Sequence, residues 1–263
     1  RQHDLRRRKG RHPAEEEVIR RYKFTYRSVL LSVVSLLTIG CGSDDTPAAT
    51  ATKPELIAHA ERRLLDGDFP AATSSFRRAL QSDSTSTVAL LGLARIYDQM
   101  QRTDVAERYR QRAFHLNFEL GKVARDANDL TAARDAFALA TIAMPDHPMA
   151  LLSIGEIWLA EGRLDSAIAY FEKVVQTDDR FADARLKLSR AYLQSGRIDE
   201  AQAGFEAVLE LNINAVEAYV SLGKIFADRG EWAHAAAHYD RALLIRPGSE
   251  KAREGLEAAR THL

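Results

Sequence analysis

Small and apolar residues recur along most of this chain with a period of 34 residues. The clearest marker is an alanine that is followed, four residues later, by an aromatic residue in five of six cases. The alanines are Ala72, Ala106, Ala133, Ala167, Ala201 and Ala235, and they are followed by Phe76, Arg110, Phe137, Phe171, Phe205 and Tyr239; twelve residues before each alanine stand Ala60, Ala94, Gly121, Gly155, Ser189 and Gly223. A period of this length is typical of tandem helical hairpins.

These positions predict two closely packed antiparallel helices in each repeat. Small residues let the two backbones approach, and the aromatic ring of the second helix fills the remaining gap. A residue at the predicted turn closes each first helix, where Gly or Asn tolerates the left-handed backbone conformation. The turn residues are Gly67, Gln101, Asn128, Gly162, Gly196 and Gly230.

The pattern of the last full repeat resembles the signature of the tetratricopeptide repeat family. It reads Tyr219-x2-Leu222-Gly223-x2-Phe226, then Ala235-x3-Tyr239 and Pro247, and Leu151-x2-Ile154-Gly155-x2-Trp158 with Ala167-x3-Phe171 is similar. The resemblance implies an all-α fold, a right-handed α-solenoid of helix-turn-helix hairpins. Six repeats are assigned to residues 53–86, 87–113, 114–147, 148–181, 182–215 and 216–249, and residues 250–263 to a capping helix.

One junction departs from the period, because the spacing between the second and third repeats is seven residues shorter than elsewhere. No Gly or Pro lies between Thr103 and Ala127, apart from Gly121 at its expected packing position. Either residues 115–117 make a very tight turn, or one long helix replaces the turn. We favour the tight turn, because alternating antiparallel helices require a reversal at this point.

The amino-terminal part has the layout of a bacterial signal peptide. Residues 29–40 form an uncharged apolar run that follows four basic residues and is too short to span a bilayer comfortably. The run ends at Gly40-Cys41, which resembles a lipoprotein box with Thr38 where Leu is usual. By that resemblance Cys41 is lipidated, and residues 29–41 are the apolar region and the cleavage site.

The segments on either side of this run have different compositions. Residues 1–28 are highly charged and are interpreted as an extension that is disordered or not translated. Residues 42–52 are small and polar, which predicts a flexible tether. The expected location is therefore the bacterial cell envelope, with the protein lipid-anchored and either facing the periplasm or exposed on the surface.

The resemblance also implies a concave groove formed by the first helix of each repeat, where a peptide or a helix of another protein lies. Two stripes of residues would face it, one apolar and one mostly basic. The apolar stripe is Ile57, Leu91, Phe118, Leu152, Leu186 and Val220, and the charged one is Glu61, Arg95, Lys122, Glu156, Arg190 and Lys224. They predict a peptide with apolar anchors and some acidic character. The alternative is that the first stripe packs between helices and the second is ordinary solvated surface.

Charge and composition exclude several other functions. The formal net charge is zero, but the basic excess lies in the first 29 residues and leaves the remainder acidic, which argues against a nucleic acid partner. His234 and His238 lie one helical turn apart without a third strong metal ligand nearby, so we expect no metal site. No nucleophile elbow or phosphate-binding loop is present. We therefore expect no enzymatic activity, no cofactor and no small-molecule substrate.

These observations predict a membrane-anchored scaffold that binds another protein. Similar lipoproteins act in envelope assembly, secretion, or pilus or polysaccharide machinery. Two alternatives remain at this stage: a soluble cytoplasmic adaptor, or the regulatory subunit of an enzyme whose activity lies on another chain.

Overall fold

A computed structural model describes residues 47–263, and these residues form twelve α-helices and no strand. The helices are α1 (Lys53–Leu65), α2 (Phe69–Ser82), α3 (Thr87–Gln99), α4 (Thr103–Asp126), α5 (Leu130–Ala143), α6 (Pro148–Ala160), α7 (Leu164–Thr177), α8 (Ala182–Gln194), α9 (Ile198–Leu211), α10 (Val216–Asp228), α11 (Trp232–Ile245) and α12 (Glu250–Arg260). The predicted all-α repeat fold is confirmed.

The chain divides into two compact units between Ala150 and Leu151. The predicted signal peptide and Cys41 lie outside the described residues.

The hairpins are held together by an aromatic ring against a small residue, as the sequence pattern predicts. The rings of Phe76, Phe137, Phe171 and Phe205 are fully buried. A Cβ atom added to Gly155 would lie 2.5 Å from a ring carbon of Phe171, so only a glycine fits there. The same closeness is found at Gly121 against Phe137 and at Gly223 against Tyr239.

The turns inside the hairpins adopt the predicted left-handed backbone. All six predicted turn residues have a positive φ, between 59° and 78°. Gln101 and Asn128 are the two that carry a side chain, and they adopt the conformation that Gly accepts without strain. The hairpin positions inferred from the period are therefore confirmed at each turn.

The predicted tight turn at residues 115–117 is wrong. Helix α4 runs unbroken for 24 residues, from Thr103 to Asp126, through the position where the chain was expected to reverse. Each of the other links from the second helix of a hairpin to the next first helix, within the described residues, is a loop of four residues. The seven missing residues have removed this loop and have joined two helices into one.

The continuous helix is favoured because both of its halves bury the same side. Ala106, Ala113, Asn117 and Gly121 are buried at spacings of seven, four and four residues, which form one helical stripe. Asn117 stabilises the midpoint, since its side-chain amide donates hydrogen bonds to Thr87 Oγ1 at 2.8 Å and to the Ala113 carbonyl oxygen at 2.6 Å. A reversal at this point would break the stripe.

Helices α3 and α5 consequently pack against the same side of α4. One apolar cluster joins Leu90 near the start of α3, Ala113 and Phe114 at the middle of α4, and Ala140 near the end of α5. The start of α3 and the end of α5 thus meet at the midpoint of α4. The first unit is built around this helix.

The two ends of the described chain are closed differently. In the first hairpin, the polar residue His59 occupies a position where later repeats have an aliphatic residue. Its Nδ1 atom lies 2.8 Å from Ser75 Oγ. At the other end, α12 buries Ala252, Leu256 and Ala259, the three residues of its predicted stripe. Their burial closes the apolar surface of the last hairpin.

Candidate protein-binding surface

In the second unit, ion pairs link successive first helices and define a common surface. Lys187 on α8 lies 2.8 Å from Glu156 on α6, and Arg190 on α8 lies 3.0 Å from Glu217 on α10. The three first helices α6, α8 and α10 therefore present their faces side by side. We call this surface the first-helix face, defined by Leu152, Glu156, Leu186, Arg190, Val220 and Lys224.

The apolar residues of the first-helix face differ in exposure. Leu152 is buried, with 4% of its surface exposed, whereas Leu186 and Val220 are half-buried. Leu186 packs at the edge of the cluster around Phe205 and Leu222, and Val220 at the edge of the cluster around Tyr219. Leu186 and Val220 therefore stabilise the repeats with one side and leave the other side accessible.

The basic residues of the first-helix face are exposed and only weakly paired. The side chain of Arg190 is 49% exposed and that of Lys224 is 62% exposed. Lys224 forms its ion pair with Asp228, one turn along the same helix, at 2.8 Å. Exposed ion pairs of this kind contribute about 0–1 kcal/mol, so a carboxylate from a partner can replace the present one at little cost.

The first unit brings some of the predicted groove residues together and separates others. Glu61 on α1 and Arg95 on α3 form an ion pair of 2.9 Å, with Glu61 almost buried. Ile57 packs on the core beside these helices. The ion pair of Arg95 thus resembles that of Arg190 with Glu217, except that Glu61 is buried.

Phe118 and Lys122, on α4, contact residues of their own helix and of α5. The ring of Phe118 lies 5.4 Å from that of Phe114 and 5.4 Å from that of Phe137. Lys122 pairs with Glu119 at 2.8 Å, while Leu91 of α3 packs on the same cluster as Phe118. The two residues of α4 thus act mainly in packing and in a local ion pair.

Sequence reasoning missed Lys187 and Glu217, which join the helices of the first-helix face. The signal was present, because Lys187 follows Leu186 directly and Glu217 precedes Val220 by about one helical turn. Helical periodicity places both on the same side as the predicted stripes. To predict these ion pairs, one would have had to look for acidic residues on the neighbouring first helices as well as for the basic residues themselves.

Three titratable groups with shifted pKa values are partly buried and pack between helices. Burial, with a hydrogen bond to Glu172 at 2.7 Å, raises the pKa of Tyr192 to about 12. Burial lowers the pKa of His147 and that of His238. These shifts favour the neutral forms of the three side chains, which suits residues packed between helices.

Two further features bear on the predictions. Among residues 47–263, no cluster of three or more His, Cys, Asp or Glu side chains is arranged to hold a metal ion. The ring of His238 instead stacks on that of Phe226, with centroids 5.1 Å apart. Within the same described region, no helix has the length and apolarity required to cross a membrane.

Family comparisons place this architecture in a known class. Three models described as tetratricopeptide repeat match the chain, the first over residues 63–113 and 158–224, the second over 118–184 and the third over 218–253. The chain belongs to the tetratricopeptide repeat family, whose members are generally non-catalytic scaffolds for protein interactions. No curated protein matches the sequence.

Solved structures with a similar backbone include several repeat proteins. A chain of the APC/C hetero-tetramer Cut9–Hcn1 is 16% identical with a TM-score of 0.51; the match covers 79% of this chain and 42% of that one. PilF of Pseudomonas aeruginosa is 15% identical, with a TM-score of 0.49 and coverages of 78% and 97%. YrrB is 19% identical, with a TM-score of 0.47 and coverages of 78% and 91%. At these identities the likeness to the hetero-tetramer chain shows the fold alone.

Proposed function

We propose that this protein is a membrane-anchored scaffold that binds a peptide or a helix of another protein on the first-helix face. The observation that carries the proposal is the combination of half-buried Leu186 and Val220 with exposed Arg190 and Lys224. Apolar side chains supply anchor contacts, and nearby cations bind carboxylates and set the register of the bound segment. The preferred ligand therefore has apolar anchors and acidic residues.

The anchor of this proposal is Cys41, carrying a lipid in the manner of bacterial lipoproteins. The apolar run before Cys41 and the small polar residues after it support this part. Arg78 donates hydrogen bonds to the carbonyl oxygens of Pro47 and Ala48, so α2 holds the chain six residues after the cysteine. Six residues reach at most about 20 Å, which would keep the repeats near the membrane surface.

The proposed cellular role follows from the same resemblance. Lipoproteins built from these repeats act in envelope assembly, secretion, or pilus or polysaccharide machinery. A tethered scaffold with an exposed recognition face suits such a role, because it brings a partner to the membrane without performing chemistry itself.

Panning a random peptide library against the full chain tests the recognition face. We expect enriched peptides to combine acidic and apolar residues, and we expect Arg190→Glu with Lys224→Glu to weaken their binding about tenfold or more, since both charge contacts become repulsive. The control is Arg241→Glu with Lys251→Glu, which makes the same change of net charge at exposed positions on α11 and α12.

Helicity and melting temperature are measured for both double variants, and we expect neither to change because all four residues are exposed. Equal binding by the two double variants would show that the first-helix face does not recognise the acidic peptides. Enrichment of peptides without acidic residues would lead to the same conclusion.

A further inference from the structure

Helix α4 carries an apolar stripe that residues 47–150 leave largely exposed. Leu120 is 57% exposed and Val123 is 65% exposed, and Leu116, on the same side of the helix, is half-buried. A single exposed leucine is ordinary on a protein surface, but three aliphatic residues at helical spacing form a continuous contact face.

The equivalent residues of other repeats are buried. The positions that correspond to Leu116, Leu120 and Val123 are Ala89, Leu93 and Ile96 on α3, and Ala218, Leu222 and Ile225 on α10, and none of these is more than 1% exposed. On α3 they pack against Ala72, Phe76 and Ala79 of α2, and on α10 against Ala201, Phe205 and Val208 of α9. In both hairpins, the covering element is the antiparallel second helix of the preceding repeat.

The stripe on α4 lacks this cover because the preceding second helix is the first half of α4 itself. Two halves of one straight helix are collinear, so the first half cannot fold back over the second. Helix α1 has no preceding helix within residues 47–263 either, but it carries Glu55, His59 and Arg62 at these positions. At these positions α1 is therefore polar, as suits a surface exposed to solvent, whereas α4 is apolar, as suits a surface covered by another helix.

We propose that a second copy of this chain covers the stripe, with the two α4 helices antiparallel about a two-fold axis near Leu120. In that arrangement, Leu116 of one copy packs on the partner's Val123, and each contact occurs twice. Each copy supplies the antiparallel helix that covers the equivalent residues of α3 and α10. The proposal goes beyond the peptide-binding role and involves a different surface.

The charges that border the stripe favour this antiparallel pairing. Arg108 and Arg112 lie on the amino-terminal side of the stripe, and Asp126, whose side chain is 71% exposed, lies at the other end. Antiparallel packing brings Arg112 of one copy to the partner's Asp126. Glu119 lies near the proposed axis, where its ion pair with Lys122 at 2.8 Å offsets the repulsion between its two copies.

The surface beside the stripe is also shaped to receive another element. An open depression on α4 is lined by Arg108, Gln111, Arg112, His115, Leu116 and Glu119. The depression adjoins the apolar stripe through Leu116 and its basic border through Arg112. Arg108 pairs with the exposed Asp104 at 3.2 Å, and Arg112 donates a hydrogen bond to the Ser84 carbonyl oxygen at 2.7 Å. Exposed contacts of this kind are weak, so the partner's Asp126 can enter the depression and bind these guanidinium groups.

Disulfide cross-linking in the full chain tests the pairing. In a Cys41→Ser background, which removes the one native cysteine, Leu120→Cys places a thiol beside the proposed axis. We expect mild oxidation to produce a covalent dimer. The matched control is Leu244→Cys, because Leu244 is also an exposed leucine, at 71%, but lies on α11. Equal cross-linking of the two variants would overturn the proposal.

Two sets of substitutions test the forces that hold the dimer. Leu120→Glu with Val123→Glu should weaken dimerisation at least about a hundredfold, since four apolar side chains are replaced by carboxylates in each dimer. Arg112→Asp alone and Asp126→Arg alone should each lower the yield of the Leu120→Cys cross-link, and the two changes together should restore it. A dimer that survives the double glutamate variant, or no restoration in the charge swap, would contradict the proposal.

The accessibility of the thiol in Leu120→Cys distinguishes an uncovered stripe from one that is covered by the chain itself. The residues are exposed in the single chain, so helicity should be unchanged in all variants. The melting temperature should fall only in the variants that weaken the dimer, because association stabilises the folded state. Rapid maleimide labelling of Leu120→Cys in a monomeric full chain would show an uncovered stripe. Slow labelling in a monomeric chain would show that the chain's own apolar run, residues 29–40, covers it. Either of these two results would overturn the second-copy proposal.

Discussion

The contact between Gly155 and Phe171 shows how a missing side chain sets the distance between two helices. The ring of Phe171 occupies the space that a Cβ atom at position 155 would need, and it is fully buried. The ring therefore stabilises the hairpin through close packing, which depends on the absence of one methyl group. The repeating glycines and alanines at this position are thus packing residues and not turn residues.

Gly155→Ala should lower the free energy of unfolding by about 1–3 kcal/mol, because the added methyl group forces the Phe171 ring or a helix to shift. Chemical denaturation followed by circular dichroism measures the change. The control is Gly248→Ala, where nothing lies within 4 Å of the added atom. Equal stability of the two variants would contradict the proposed packing role.

At the scale of the element, α4 is where the sequence period and the structure diverge. The period predicted the helices and their turns, because small residues, aromatic residues and left-handed positions repeat in register. The period could not show whether the chain turns between the second and third repeats, because the residues that would form the loop are missing there. The spacing of Ala106, Ala113, Asn117 and Gly121 was the available signal, because one stripe runs through the expected reversal.

A proline at position 115 tests the continuity of α4. His115→Pro should destabilise the protein by about 3 kcal/mol or more, since proline removes a helical hydrogen bond and clashes with the preceding turn. His115 is exposed, so His115→Ala removes the same side chain without this penalty and is the control. Denaturant unfolding compares the two, and a tolerated proline would indicate a turn where the structure has a helix.

At the scale of the whole molecule, the positions of the proposed groove residues in the repeats were easier to predict than their interactions. The sequence placed Leu186, Arg190, Val220 and Lys224 on one side of successive first helices, because the period fixes equivalent positions. It did not predict that Glu217 pairs with Arg190, since the pairing depends on the distance between neighbouring helices. Exposed side chains have many partners within reach, whereas buried ones are fixed by packing.

The proposed membrane anchor makes a prediction for the complete chain. A bacterial host that expresses the protein and is supplied with labelled fatty acid should attach the label to it, and Cys41→Ser should abolish the labelling. Ser43→Cys in the Cys41→Ser background is the control, because it restores a thiol two residues away from the proposed cleavage site. Label that persists without Cys41 would favour an adaptor without this anchor.

The unbroken α4 also has a mechanical consequence for the first unit. A helix of 24 residues is about 36 Å long and bends much less than a four-residue loop pivots. Any force that rotates the second hairpin, to which the first half of α4 belongs, is therefore transmitted along α4 to α5, as it would be by a lever arm. Two neighbouring repeats that would otherwise move independently must swing together.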